Sequence, residues 1–444
     1  MSTTTPSPHA AGTTDALSLR NLVAQTKGDR NRAIDVYRMV AMLAVAFGHW
    51  LAMVAIVDDG ELVGGNALEF VPSMAWVSWL LQVMPLFFVV GGFSSAMSLD
   101  AHARTNGSPQ DWVAARLRRM LPPAVALAGT WLVLLGLGWQ VDQFELASIG
   151  AVAAAIPLWF LANYTIDTAL APFVLPRFRR HPLLVGGGIV GAFAFFEMLR
   201  VLDVPLLPQA NWVLGWLAFQ VLGMAWRDGL LPSGRRLLVL AAGAWALAIG
   251  MVLSGGPWSV SMVNVAGLEN SPTNPPTLSL LVFGLAYSLT AIAAAPAVSA
   301  AVAARPRVWA GVVAANTVAM SVYLWHMTAA VIVAAAIHLT IGLPEVTVGS
   351  LGWWLWKLPT VGASVLVLVP IVAVVSGVER RALLAPRRPW NGGVASISVV
   401  AVVASIALKA WTSGAMTIVV PSLVVLVALG TTVLAPTKEV QPTN

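Results

Sequence analysis

Long apolar runs separated by short polar loops occupy most of the chain. Runs of spanning length lie at about 34–57, 75–99, 120–138, 150–175, 183–200, 212–226, 237–254, 277–300, 309–340, 357–377, 394–411 and 416–434. A bilayer core about 30 Å thick needs about 20 apolar residues in a helix, so the pattern predicts twelve transmembrane helices. The fold class expected is therefore an all-α polytopic membrane protein. The Ser-, Thr-, Ala- and Pro-rich stretch 1–31 and the polar residues 437–444 read as loose tails. The first apolar run follows Arg32 and is too long for a signal-peptide core, so no signal peptide is expected.

Charge fixes an orientation for these helices. One set of loops contains "RTNGSPQDWVAARLRR", "PRFRRHP", "RDGLLPSGRR", "RPR" and "ERRALLAPRR"; the alternate set contains "DDGELVGGNALEF", "QVDQFE" and "GGPWSVSMVNVAGLENSPTNPP". Of the 25 Lys and Arg residues, all but Arg200, Lys357 and Lys409 fall on or just inside the first side. Basic loops stay in the cytoplasm, so a multi-pass cell-membrane protein with both termini inside is predicted.

Composition agrees and narrows the options. The chain is 58% hydrophobic and 10% charged, against about 25% charged in soluble domains, and its mean hydropathy is +0.81. The basic residues are scattered between apolar runs rather than gathered on one face, which argues against a nucleic-acid partner. Cysteine is absent, so disulfides, thiolate metal sites and a cysteine-bound acyl group are excluded. No His-x-x-x-His or Glu-x-x-His spacing occurs, and no metal is expected.

The polar residues inside the spans carry the chemistry. The first span, "DVYRMVAMLAVAFGHWLAMVAIV", holds Asp35, Arg38 and His49, and Asp or Arg at mid-helix costs about 2.5–3.5 kcal/mol on insertion scales. Arg38 and His49 are 11 residues apart, three turns plus about 20°, which sets them on one face about 16 Å apart along the axis. Asp35 precedes Arg38 by three residues, the spacing of an ion pair. In "QVMPLFFVVGGFSSAMSL", Gly91, Gly92, Ser94 and Ser95 permit close approach of a backbone or a ligand. "AARLRRMLPP" sets Arg116, Arg118 and Arg119 at the inner mouth of the third span, with Arg116 and Arg119 one three-residue step apart. "SVYLWHMTAA" places His326 in the middle of the ninth span. Glu197 and Arg200 have the spacing of a second pair.

Together these stretches resemble the acyltransferase-3 family of integral membrane O-acyltransferases. "NRAIDVYRMVAMLAVAFGHW" looks like its first span, with the arginine and histidine at Arg38 and His49. "PLFFVVGGF" is similar to its Phe-Phe-x-x-Ser-Gly-Phe turn, on Phe87, Phe88, Gly92 and Phe93, with Gly91 where serine is usual. "RLRRMLP" resembles its basic motif, and "PLWFLANY" and "YLWH" its later segments.

The resemblance implies a ten-helix bundle over 32–380, followed by two accessory spans over 381–436. It also implies transfer of an acyl group, most often acetyl, from cytoplasmic acyl-CoA to a hydroxyl of an exported glycan or lipid. "NPPTLSLLVFGLAYSLT" and the doubled glycine look most like actinobacterial-type members, some of which acetylate trehalose-linked mycolic lipids. On this reading His49 is a general base or a transient acyl carrier, and His326 is a second acid/base or an orienting partner. Asp35 and Arg38 assist, while Arg116, Arg118 and Arg119, with Gly91, Gly92, Phe93 and Ser94, receive the CoA arm. The partners expected are acyl-CoA, a hydroxylated acceptor and the bilayer, with a second copy or an envelope-synthesis protein left open. A transporter or flippase, or a silent assembly partner, are the competing readings.

Overall fold

The computed structural model describes residues 30–58, 61–265, 272–384, 400, 403, 404, 406, 407, 409 and 416–434. Its helices are α1 (Arg32–Ala52), α2 (Met84–Arg104), α3 (Pro109–Gln140), α4 (Phe144–Ala155), α5 (Leu158–Arg180), α6 (Pro182–Val201), α7 (Asn211–Arg227), α8 (Arg235–Leu253), α9 (Leu278–Ala303), α10 (Pro306–Thr317), α11 (Ala319–Thr340), α12 (Leu351–Leu384) and α13 (Met416–Leu434). The protein is thus an all-α polytopic membrane protein. Among the described residues, nine helical segments are long and apolar enough to cross a bilayer. Of the other expected spans, the run at 212–226 becomes α7, which has 17 residues and falls short in length. The run at 394–411 lies mostly outside the described residues, and the last run forms α13, 19 residues long. The tails at 1–29 and 435–444 are likewise outside the described residues.

Three boundaries differ from the apolar pattern, each for a local reason. The first run does not stay helical to residue 57. After Ala52 the chain enters an antiparallel hairpin, β1 (Met53–Asp58) on β2 (Glu61–Asn66). Val54 and Ile56 are buried while Ala55 and Val57 are partly exposed, the two-residue period of a strand within an unbroken apolar run. The run at 150–175 is split into α4 and α5 at Pro157, whose ring cannot continue the hydrogen-bond ladder. The run at 309–340 is split at Val318. There Asn316 and Thr317 bond the local backbone, Asn316 Nδ2 to the carbonyl of Val312 and Thr317 Oγ1 to that of Ala314.

Helix α1 is ringed by α2, α9, α10 and α11. Its outward stripe, Val40, Leu43 and Phe47, is about half exposed, at 47%, 52% and 47%. An aromatic core stands beside it: Phe88 lies 4.9 Å from Trp216 and 5.3 Å from Phe160, and Phe160 lies 5.2 Å from Tyr323, centroid to centroid. In a bilayer such packing holds helices together by close contact rather than by escape from water. One end of the bundle, the basic end, is tied by charge. Arg179 on α5 bonds both oxygens of Asp100 on α2 (2.7 and 3.0 Å) and of Asp228, just past α7 (2.7 and 2.9 Å). Arg227 joins both carboxylates at 2.9 and 3.2 Å. At the other end, the hairpin end, the Glu197–Arg200 pair forms at 3.0 Å, and Glu197 also accepts from the backbone N–H of Leu278 at 3.1 Å. Helix α13 packs along α3, burying Val419, Leu423 and Leu426 while Ile418 and Val424 stay exposed.

Candidate active site

The polar residues of α1 point away from its exposed stripe. At 100° per residue, Arg38 and His49 are rotated by about 160° and 180° from Val40. Both keep partial exposure, while Met42 and Val45 between them are buried. The surface they retain therefore belongs to the inner side of the helix.

His49 meets His326 there. The His49 Nδ1 atom lies 2.9 Å from His326 Nε2. Ring centroids 5.1 Å apart with planes inclined by 22° fit an in-plane, edge-to-edge contact. His326 has no exposed surface, and its Nδ1 lies 2.7 Å from the carbonyl of Tyr323. A carbonyl only accepts, so that nitrogen carries the hydrogen, and in a neutral ring Nε2 is then the acceptor. The hydrogen between the two rings thus sits on His49 Nδ1 when both are neutral, and the free lone pair falls on His49 Nε2. The pair is braced on both sides. The Trp50 indole N–H donates to the His326 carbonyl at 2.9 Å, and the Tyr323 hydroxyl donates to the Pro157 carbonyl at 2.8 Å. The start of α5 thus supplies a carbonyl acceptor to the helix that carries His326.

Three turns along the same face is a cluster of cations. Arg38 donates to Ser94 Oγ at 2.9 Å. Its expected ion pair with Asp35 is long, 4.0 Å, because Arg30 occupies both Asp35 oxygens at 2.8 and 2.9 Å. That bond raises the Arg30 guanidinium above its ordinary value. Arg116 donates to Ser98 Oγ at 2.5 Å and lies over the Trp112 ring at 5.0 Å. The charges of Arg119 and Arg38 and the phenol of Tyr164 are all within electrostatic reach of Arg116. Arg118 is about 160° around α3 from Arg116 and faces elsewhere. Among the described residues the ion pairs give this cluster one carboxylate, Asp35, and Arg30 already claims it.

The small residues of α2 divide by face. A Cβ on Gly92 would fall 1.9 Å from the carbonyl oxygen of Gln220, and one on Gly223 would fall 1.9 Å from that of Val89. These two glycines let α2 and α7 pack backbone to backbone, so Gly92 is enclosed by protein. A Cβ on Gly91 would lie 2.7 Å from the Tyr164 ring, and Phe93 packs on Trp226 at 5.0 Å. Ser94 is the member of the group that turns toward Arg38. Of the residues expected at a site, the structure brings together His49 with His326, Arg38 with Ser94, and Arg116 with Arg119. It sets Gly92, Phe93 and Arg118 apart from them. Ser98 and Tyr164 had no place in the expected site, and Lys357 stood out only as an exception to the charge bias. The signals available were a tyrosine in a chain with four and a lysine on the side where basic residues are rare. Among the described residues no group of three or more His, Asp or Glu is placed to hold a metal ion.

Comparison with known families supplies the class of chemistry. Residues 31–377, well over half of the chain, match the family model described as an acyltransferase domain, Acyl_transf_3. The chain belongs to the acyltransferase-3 family. No curated protein and no solved structure matches it. As a member of the acyltransferase-3 family it is a membrane acyltransferase. The matched segment begins just before α1 and ends within α12, so it holds both histidines and the arginine cluster, and leaves α13 outside.

Proposed function

We propose that this acyltransferase moves an acyl group, acetyl foremost, from acyl-CoA to a hydroxyl of an exported envelope glycan or glycolipid. A trehalose mycolate-type lipid is the narrowest form of that acceptor. The observation that carries the reading is a braced histidine pair on the inner face of α1 and, about 16 Å along its axis at Arg38, an under-compensated arginine cluster to which α3 adds Arg116 and Arg119. The arginine end faces the cytoplasm of the cell membrane on this reading, by the charge asymmetry of the loops.

CoA is a polyanion that stays at the membrane surface, and its phosphates call for cations there. Arg116 and Arg119 would hold them through charge-assisted bonds, with Arg38 one step deeper along the arm. The pantetheine arm then carries the thioester along the seam toward His49. The His49 Nε2 lone pair takes the proton of the acceptor hydroxyl as its oxygen attacks the thioester carbon. The C–O bond forms, the C–S bond breaks, and the CoA sulfur leaves with the proton that His49 collected. His326 fixes the tautomer that makes Nε2 the base. The same lone pair could accept the acyl group first, as an acyl-imidazole, with the hydroxyl arriving second.

The test is transfer itself. Purified protein given labelled acetyl-CoA and a lipid extract of the source envelope should label a hydroxyl-linked product, and a folded His49→Ala variant should not. Full labelling by that variant sinks the assignment.

A further inference from the structure

A second polar feature lies outside this seam, at the hairpin end. A crevice there is walled by Trp50, Trp353, Trp356, Lys357, Thr360 and Ser364 among otherwise aliphatic side chains. Lys357 is 8% exposed on α12, a position that carries a substantial cost for an ammonium in a bilayer. Its Nζ bonds the carbonyl of Met53, the residue at which α1 ends and the hairpin begins. Its charge also lies 5.5 Å from the Trp353 ring centroid. Among the described residues no carboxylate pairs with it. An ammonium has three donors, and the Met53 carbonyl takes one.

The neighbouring hydroxyls complete the pattern. Thr360 and Ser364 donate their hydrogens back into α12, to the carbonyls of Lys357 and Thr360, both at 2.8 Å. Each hydroxyl therefore offers lone pairs to anything in the crevice. A wall that presents donors from one side chain and acceptors from two others suits groups that both donate and accept. Hydroxyls do so, whereas a carboxylate or phosphate would meet the Thr and Ser lone pairs unfavourably. Indole faces beside such a wall suit the apolar face of a sugar ring. Trp50 links the two regions, since it lines the crevice and also bonds the carbonyl of His326.

We propose that this crevice is the acceptor site, and that it binds a polyhydroxylated ring with Lys357 and the indoles as its principal contacts. The assignment rests on the transfer reaction above. It delivers an acceptor hydroxyl to the dyad from the end opposite the arginines, so donor and acceptor enter from different ends of one bundle.

The experiment has two arms, on the full chain in liposomes. In the first, labelled acetyl-CoA and the envelope lipid extract are each titrated. Lys357→Met should raise the half-saturating extract concentration about tenfold or more and leave that of acetyl-CoA unchanged, and Lys357→Arg should restore most of the loss. An unchanged extract half-saturation overturns the proposal. The second arm needs no turnover. The chain has no cysteine, so Ser364→Cys, or Ala334→Cys if the first variant folds poorly, gives a single thiol in the crevice wall. A membrane-impermeant methanethiosulfonate applied from the hairpin side should modify it, and the extract should slow that modification severalfold. No modification, or none that the extract slows, overturns the proposal as well. A wild-type chain that transfers nothing yet shows this protection refutes the transfer reading and leaves the crevice assigned.

Discussion

The two ends of the α1 seam solve different problems with different residues. At the basic end, guanidinium groups outnumber carboxylates and lean on neutral hydroxyls: Arg38 on Ser94, Arg116 on Ser98. At the histidine end there is no charge of fixed sign, and each ring nitrogen except one is committed to a named partner. Unpaired cations at a membrane surface hold their place cheaply while water is near, and an arriving polyanion gains their full attraction. Deeper in the bundle a fixed charge would be expensive, and the acid/base group proposed there is a pair of imidazoles whose tautomers are set by a backbone carbonyl. On the proposed function, the difference teaches that binding and chemistry are separated along one helix by how much charge each depth tolerates.

Substitutions can break that contrast or sharpen it. The largest effect is expected at His49. Loss of a positioned general base costs about 10²–10⁴-fold in rate, so His49→Ala should lose kcat to that extent while acetyl-CoA half-saturation holds. His326→Ala leaves the His49 ring without its acceptor, and misorientation of that order costs about 10²-fold. Its loss should also lie in kcat, whereas an effect on the half-saturation of acetyl-CoA alone would contradict the orienting role. At the other end the split should reverse. Arg116→Ala removes a hydrogen-bonding charge worth about 1.5–3 kcal/mol, so the acetyl-CoA half-saturation should rise roughly 10- to 100-fold with kcat little changed. Smallest in activity is Gly92→Ala, because that glycine packs against the α7 backbone. The added methyl should lower the thermal midpoint through about 1–3 kcal/mol of overpacking, and the protein that remains folded should turn over normally. A purely kinetic defect there would move Gly92 into the binding site.

How much was legible beforehand depended on the kind of signal. Arg38 and His49 could be set on one face because helical periodicity is local. The basic loops could be sorted because charge bias needs only the order of segments. Span ends were less legible: Met53–Val57 is as apolar as a helix, and only pairing with β2 makes it a strand. Pro157 was visible, yet its carbonyl mattered only once Tyr323 reached it from a helix more than 160 residues away. Gly91 and Gly92 look alike in sequence, but one faces a tyrosine ring and the other a backbone carbonyl. Lys357 registered as an exception to the charge rule, with nothing local to show the crevice around it.

By itself, then, the order of residues determined the membrane-embedded all-α class, the sense of the charge bias, the pairing of Arg38 with His49 on one face and the family. These rest on periodicity, hydropathy and motif, which act over a few turns of chain. Only the tertiary structure decided that His49 bonds His326, that Arg30 rather than Arg38 holds Asp35, and that Gly92 serves helix packing. The first and last depend on which helices become neighbours and in what rotation, and contacts between residues more than a hundred positions apart leave no local trace; the second is local, five residues apart, but turns on where the chain just before α1 sets Arg30.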